Sequence, residues 1–221
     1  MRQVSIVIIL LLNWTAINAQ TLQGQKSATH FFMVNLDADI AEVLSAGDAV
    51  KNVSVYSLSS NGMITSIIDT FYQIAEERFK AELGLELLPL GELKNKIRYN
   101  KDYPLCPDMP NIKKVLKTAS GYKFYLDYYV NVFSDLYQET MAKPTPARIR
   151  PLFAICFTLY NASGIAVEKV EYSYKTRKPL AQANLSTDKS CQQIKTRLCE
   201  YYSEALEGFS VVCRKKLTAQ L

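Results

Sequence analysis

The sequence predicts an α+β fold, an α/β sandwich in which one mixed sheet of five or six strands is covered by two main helices. Two observations support this prediction. β-Rich runs on either side of Asn161-Ala-Ser-Gly are typical of an antiparallel hairpin, and Tyr122 to Phe133 lies just upstream, so the three runs form a meander. Apolar residues spaced three and four apart within 64–83 and 190–207 predict the two helices.

The chain opens with a segment typical of a secretory signal peptide. Arg2 precedes the short apolar run Val4 to Leu12, and the small residue Ala19 marks a cleavage site. The run is shorter than the roughly 20 apolar residues that span a bilayer. We therefore expect a signal peptide at 1–19, although a retained N-terminal anchor is the alternative. The mature protein would then be periplasmic or secreted.

Composition argues against several classes of partner. Removal of the leader leaves 25 basic and 21 acidic residues, a net charge of +4 that is scattered along the chain. Because no dense basic run occurs, no nucleic-acid partner is expected. No later segment is long and apolar enough for a transmembrane helix. We expect a flexible segment at 20–28 and a single globular domain at 29–221.

The first half of this domain predicts alternating strands and helices. A helix over 64–83 would end at Gly84, and a buried strand over 85–90 would run parallel to a strand over 53–58. Further upstream we expect a strand over 29–36 and a short helix within 37–48.

In the second half, Ser190 is predicted to cap the last helix, with Gln193 in the capping-box position and Gly208 ending or bending the helix. A short basic helix over 111–118 is expected to hold Pro110 in its first turn. The second arm of the hairpin is the more polar one, as suits an edge strand. The first arm places five apolar residues on one side: Ile149, Phe153, Ile155, Phe157 and Leu159.

The segment 91–120 is the one long irregular stretch, and such loops in compact domains are frequently functional. Prolines punctuate its middle, at Pro104, Pro107 and Pro110. If a ligand or peptide binds, we expect it here. The candidate binding-loop residues are Tyr99, Tyr103, Cys106, Asp108 and Met109.

Five cysteines allow disulfides in an exported protein, but the odd number leaves at least one thiol unpaired. Cys156 lies in the most apolar run, and we assign it to the core. On one helix, Cys191 and Cys199 would lie about 12 Å apart and could not bond to each other. Cys106 would then pair with a helix cysteine or stay free.

No catalytic, metal or cofactor site is predicted. His30 is the only histidine, and no Gly-x-Ser-x-Gly motif accompanies it, so a structural role is favoured. Zinc is not expected without a Cys-x-x-Cys pair. Asp37 and Asp39 lack the glycine and glutamate of a calcium loop, which favours a solvated turn. The adjacent Glu76 and Glu77 diverge by about 100° on a helix and cannot act as a catalytic pair.

Two features leave alternatives open. Sequons at Asn52, Asn161 and Asn184 would matter in a eukaryotic secretory route, whereas the leader fits a bacterial route equally well. The tyrosines either line a protein-binding surface or, as we favour, pack across a half-buried sheet. They include Tyr125, Tyr128, Tyr129, Tyr172, Tyr174, Tyr201 and Tyr202.

The predicted order of elements over 53–207 resembles the small α/β domain of bacterial envelope proteins. Examples are the curli-secretion lipoprotein and the N-terminal domain of the Tol-system propeller protein. The run Leu159-Tyr-Asn-Ala-Ser-Gly-Ile-Ala-Val167, which ends one strand and starts the next, carries the resemblance. This chain lacks their lipidated cysteine. The resemblance implies a periplasmic domain that works by contacting other envelope proteins.

These observations predict a non-enzymatic, exported envelope protein that acts through protein–protein contacts as an assembly or accessory component. The alternative is a periplasmic protein that binds a small ligand or peptide. An enzyme of unfamiliar type is a remote third possibility. The sequence leaves the oligomeric state open.

Overall fold

The computed structural model describes residues 22, 24–44, 62–89, 111–118, 121–136, 149–180 and 187–219. The predicted signal peptide and the strand over 53–58 lie outside these residues. In chain order the described elements are β1 (Gln25–Leu36), α1 (Ala38–Leu44), α2 (Gly62–Leu83), β2 (Leu85–Pro89), α3 (Ile112–Thr118), β3 (Phe124–Leu136), β4 (Ile149–Tyr160), β5 (Ala166–Lys175) and α4 (Thr187–Ala219). They confirm the predicted α+β class.

The five strands form one mixed sheet in the order β2-β1-β3-β4-β5. β1 runs parallel to both of its neighbours, β2 and β3. β3, β4 and β5 follow one another in antiparallel pairs, as predicted for the meander. Among the described strands, β2 and β5 are therefore the two edges.

The N-terminal half differs from the prediction in two ways. β1 begins at Gln25, four residues before the predicted strand. Among the described strands the parallel neighbour of β2 is β1, a pairing that the sequence did not indicate, while the predicted pairing with a strand over 53–58 lies outside the described residues and stays a prediction. Two parallel neighbours need a long crossover connection, and the chain between β1 and β2, which includes α2, supplies it. Apolar patterning predicted the buried strand but carried no information on its partner.

Helix α2 matches its prediction closely, whereas α4 does not. Gly84 follows α2 with a φ of 66°, the left-handed conformation that commonly ends helices. Helix α4 begins at Thr187, so Ser190 lies inside the helix and the predicted cap is wrong. Thr187 and Asp188 are also residue types favoured at helix starts, so this polar stretch offers several starting points.

Two shorter helices are capped by side chains. The Asp39 amide donates to Asp37 Oδ1 at 2.9 Å, so the two aspartates form a turn at the start of α1, in agreement with the solvated-turn interpretation. The Lys114 amide donates to Asn111 Oδ1 at 3.1 Å, and Asn111 thus caps α3. The prediction that Pro110 occupies the first turn is corrected, because α3 begins at Ile112.

The main core lies between the sheet and the two long helices. Its centre is aromatic: Phe79 packs edge-on against Tyr128 and Phe157, with centroid separations of 5.1 and 5.8 Å. The five first-arm residues named from the sequence are all buried there, as predicted. Within the described ranges, no helix is both long and apolar enough to cross a membrane.

Gly208 does not end α4, since the helix continues for eleven residues beyond it. Instead, this position lets α4 approach β5, because a Cβ here would overlap the hydroxyl of Tyr172. We expect Gly208→Ala to lower the free energy of unfolding by up to about 2 kcal/mol. Overpacking costs about 1–3 kcal/mol and outweighs the roughly 1 kcal/mol that alanine gains in helix propensity.

Urea unfolding followed by circular dichroism measures this change. The same substitution in a Tyr172→Phe background should lose less stability, because the overlapping oxygen is gone. A gain in stability from Gly208→Ala in the wild-type background would contradict the packing role.

Candidate functional site

The sheet has a second face, opposite the two long helices, and it is our candidate functional site. We call it the outer face. At one end it is covered by α3, where Val115 and Leu116 pack on Ala28 and Tyr125. Elsewhere it is lined by alternate residues of the meander, because successive side chains of a strand point to opposite faces.

Two rows of polar residues cross the outer face next to this covered end. Asp127, Thr158 and Lys169 are in register across β3, β4 and β5 and make the first row. The second row, two residues along each strand, consists of Tyr129, Cys156 and Glu171. On β3 and β4 the residues Asp127, Thr158 and Cys156 are buried, whereas the β5 residues Lys169 and Glu171 are exposed.

A hydrogen bond, burial and nearby charge raise the pKa of two tyrosines on the outer face: Tyr129 in the second row, and Tyr160, which lies two residues beyond Thr158 on β4. A hydrogen bond between the Tyr129 hydroxyl and the Cys156 thiol, together with burial, raises the pKa of Tyr129. Burial, and then the charge of Asp127, raise the pKa of Tyr160. A tyrosine hydroxyl is protonated at neutral pH, and the raised pKa values keep these two hydroxyls protonated at more alkaline pH as well.

The β5 members of the two rows, Lys169 and Glu171, form an ion pair at the edge of the described sheet. Lys169 Nζ lies 2.6 Å from Glu171 Oε1. This contact raises the pKa of Lys169 and lowers the pKa of Glu171. Both side chains are exposed, so the pair adds little stability, but it gives the edge two fixed and opposite charges.

The position of His30 bears on the catalytic alternative. In the parallel register His30 is the partner of Asp127, so its Cα stands beside the first polar row. Cys156 lies on β4, two strands away, which is about 10 Å at the usual strand spacing. A thiol–imidazole pair needs direct hydrogen-bond reach. The described registers therefore place His30 next to Asp127 and not next to Cys156.

Beyond the polar rows and the next row, which consists of Asn131, Ala154 and Ser173, two large apolar side chains lie on the outer face. Phe133 and Leu152 are cross-strand partners there, and Phe133 is 36% exposed. Lys175 and Asp135 form an ion pair at the border of this patch. Aromatic and aliphatic side chains surrounded by charged groups are typical of protein-binding surfaces.

The sequence located only part of this surface. The predicted binding-loop residues Tyr99, Tyr103, Cys106, Asp108 and Met109 lie outside the described residues, so the ligand-binding alternative stays a prediction. Cys156 is buried as expected, but it lies on the outer face beside Tyr129 and not in the main core. The sequence signal for the outer face was the polar alternation on β3, in which Asp127 and Tyr129 share one side.

Most of the tyrosines pack as the favoured interpretation predicts. Tyr125, Tyr128 and Tyr202 are fully buried, and Tyr129 lies half-buried on the outer face. Tyr174 lies on the helix side, where its hydroxyl donates to Glu204 Oε2 at 2.6 Å. Tyr129, Tyr160 and Phe133 are partly exposed aromatic residues on the outer face of the described sheet.

Comparisons with known proteins give weak neighbours. No protein-family model matches the chain, and no curated protein matches it. A variant of PelC from Paraburkholderia phytofirmans, solved as a dodecamer, is 11% identical, with a TM-score of 0.27 and coverage of 82% of this chain and 89% of that one. A candidate lipoprotein from Caulobacter crescentus CB15 is 14% identical, with a TM-score of 0.23 and coverage of 47% and 77%. These neighbours agree with the weak resemblance stated from the sequence, and such low scores carry no argument about function.

Proposed function

We propose that this chain is an exported, non-enzymatic protein that binds other envelope proteins through the outer face of its sheet. Its role would be that of an assembly or accessory component. The observation that supports the proposal is the asymmetry of the sheet. The helix side forms a closed aromatic core, whereas the outer side presents half-buried tyrosines and a partly exposed apolar patch.

The chemistry of the outer face suits a protein partner. Tyr129 and Tyr160 combine a large apolar ring with a protonated hydroxyl, the combination enriched in interface centres. Phe133 and Leu152 add an apolar contact area, and the Asp135–Lys175 ion pair supplies a charged rim.

Photo-crosslinking in the native envelope tests this proposal. A benzoylphenylalanine placed at position 133 should yield a small number of discrete adducts. The same group at position 192, an exposed site on α4, is the matched control and should yield none. Phe133→Asp should reduce co-purification of the adduct partner by about tenfold or more, as expected for a residue in the centre of an interface.

Thermal unfolding of Phe133→Asp shows whether the fold is retained, and we expect it to be, because the side chain is partly exposed. Equal adduct patterns from positions 133 and 192, or no adduct from position 133, would contradict binding through the outer face.

A further inference from the structure

The outer edge of β5 carries backbone groups that no described strand pairs. The Lys169 carbonyl accepts a hydrogen bond from Lys216 Nζ at 3.1 Å, so it points away from β4. The Thr176 amide donates to the Pro151 carbonyl of β4, so even-numbered residues point inward. Because backbone direction alternates along a strand, Lys169, Glu171 and Ser173 present their N–H and C=O groups to the free edge.

Exposed apolar residues concentrate at this edge. Ile165 and Val167, at the start of β5, are 63% and 40% exposed. Val211 of α4 is 46% exposed and lies one turn beyond Gly208, which is packed against Tyr172 of β5. Three of the four large hydrophobic residues exposed in the described chain therefore border one strand, the fourth being Phe133 on β3.

The charges on β5 favour pairing with β5 of a second copy, and they favour one register of that pairing over the others. A second copy of the strand can pair with it in antiparallel orientation about a two-fold axis, and each register is defined by the residue on the axis. An axis at Val170 places Lys169 of each copy opposite Glu171 of the other copy, which gives two Lys–Glu pairs. An axis at Tyr172 would instead oppose Lys169 to the partner's Lys175. An axis at Glu171 would oppose that glutamate to its own copy, and an axis at Ser173 would oppose Lys169 to the partner's Arg177.

We propose that the chain self-associates through β5, which pairs antiparallel with β5 of a second copy about a two-fold axis at Val170. This register creates two cross-strand Lys–Glu pairs without any like-charge pair. It also overlaps the strands almost completely, because Val170 lies at the middle of β5. The five described strands of each copy then join into one continuous sheet.

The helix side of the same edge agrees with this register. Gly208 lies over Tyr172, and Lys216 reaches the carbonyl of Lys169, so Val211 lies close to the level of Val170. On a two-fold axis at Val170, Val211 of each copy approaches its counterpart. The exposed valine is thereby covered, and the Lys216 hydrogen bond is exchanged for a backbone hydrogen bond from the partner's Glu171.

This inference is independent of the proposed function. Phe133 is on β3, two strands from the paired edge, so a crosslink from the outer face and pairing through β5 can each succeed or fail alone.

Charge reversal at the two facing positions tests the register. Lys169→Glu gives a chain with two acidic positions, and Glu171→Lys gives a chain with two basic positions. In a homodimer of either variant, positions 169 and 171 of the two facing strands carry like charges. The affinity of self-association should therefore fall by about tenfold or more. A one-to-one mixture of the two variants restores opposite charges in both pairs, and it should associate as tightly as the wild type, within about threefold.

Sedimentation velocity over a concentration series at low ionic strength measures these affinities. Glu77→Lys, which makes the same change of charge on the exposed side of α2, is the matched control and should dimerise like the wild type. Restored association in the mixture would also show that both variants are folded. A wild-type protein that stays monomeric overturns the proposal, as does a dimer unaffected by either reversal or a mixture no tighter than its components.

Discussion

Phe209→Ala should lower the free energy of unfolding by about 3–5 kcal/mol, the usual cost of removing a buried phenylalanine ring. Phe209 is fully buried at the point where α4 meets α2 and the sheet. Its ring centroid lies 5.8 Å from that of Phe79 and 6.0 Å from that of Phe157. Alanine leaves a cavity between these rings, which are themselves held by backbone elements and cannot close it.

Urea unfolding of the two proteins measures the difference. Phe133→Ala removes the same ring from a site that is 36% exposed and should cost less, about 1–2 kcal/mol, because part of the ring already contacts water. Similar losses from the two variants would show that Phe209 does not occupy the centre of the core.

Tyr202→Phe should cost about 1–3 kcal/mol at neutral pH. The hydroxyls of Tyr128 and Tyr202 are hydrogen-bonded at 2.7 Å in a fully buried environment. Removal of one oxygen takes away a hydrogen-bond partner from the buried hydroxyl of the other residue. The double variant Tyr128→Phe, Tyr202→Phe should recover most of this loss, because replacing both partners by apolar groups of the same shape is nearly neutral.

The same pair predicts a dependence on pH. Burial raises the pKa of both Tyr128 and Tyr202 above the value of about 10 that is usual for unfolded tyrosine. Their contribution to stability is fully present below about pH 10 and is lost as the pH rises above that value, since the unfolded phenols release their protons first.

Unfolding by urea at about pH 7 and about pH 11 tests both statements. Relative to the wild type, the double variant should be more stable at the higher pH than at the lower one, because it has no phenol to ionise at these positions. Additive losses in the double variant at neutral pH would contradict the coupling of the two hydroxyls.

Local patterns predicted most elements of the fold. The hairpin is encoded within a short stretch: Asn161 Oδ1 accepts from the amides of Ser163 and Ile165, and Gly164 adopts a φ of 73° at the turn. Because these interactions join near neighbours in sequence, turn chemistry alone identifies them. The two long helices were likewise visible as periodic apolar stripes.

Features that depend on distant residues were not predictable in this way. The pairing of β2 with β1 joins segments about sixty residues apart. Strands pair through backbone hydrogen bonds, so the side-chain pattern of β1 or β2 does not identify its partner. Glycine has a low helix propensity, so the sequence alone suggests that Gly208 interrupts a helix. Its packing role becomes visible only in the structure, where Tyr172 lies against it. The outer face was partly foreseen through the alternation on β3, but its polar rows need the registers of β4 and β5 as well.

The position of β1 between β2 and β3 imposes an order on folding. This strand is among the first parts of the domain to be synthesised, yet it pairs with β2 on one side and with β3, which ends at Leu136, on the other. The strands β3, β4 and β5 are consecutive in sequence and can pair as soon as they are synthesised. In contrast, β1 pairs with β2 and β3, which are both synthesised after it. β1 can therefore complete its pairing only after the chain has been synthesised as far as β3, and its parallel contacts, which join residues far apart in sequence, are expected to form slowly.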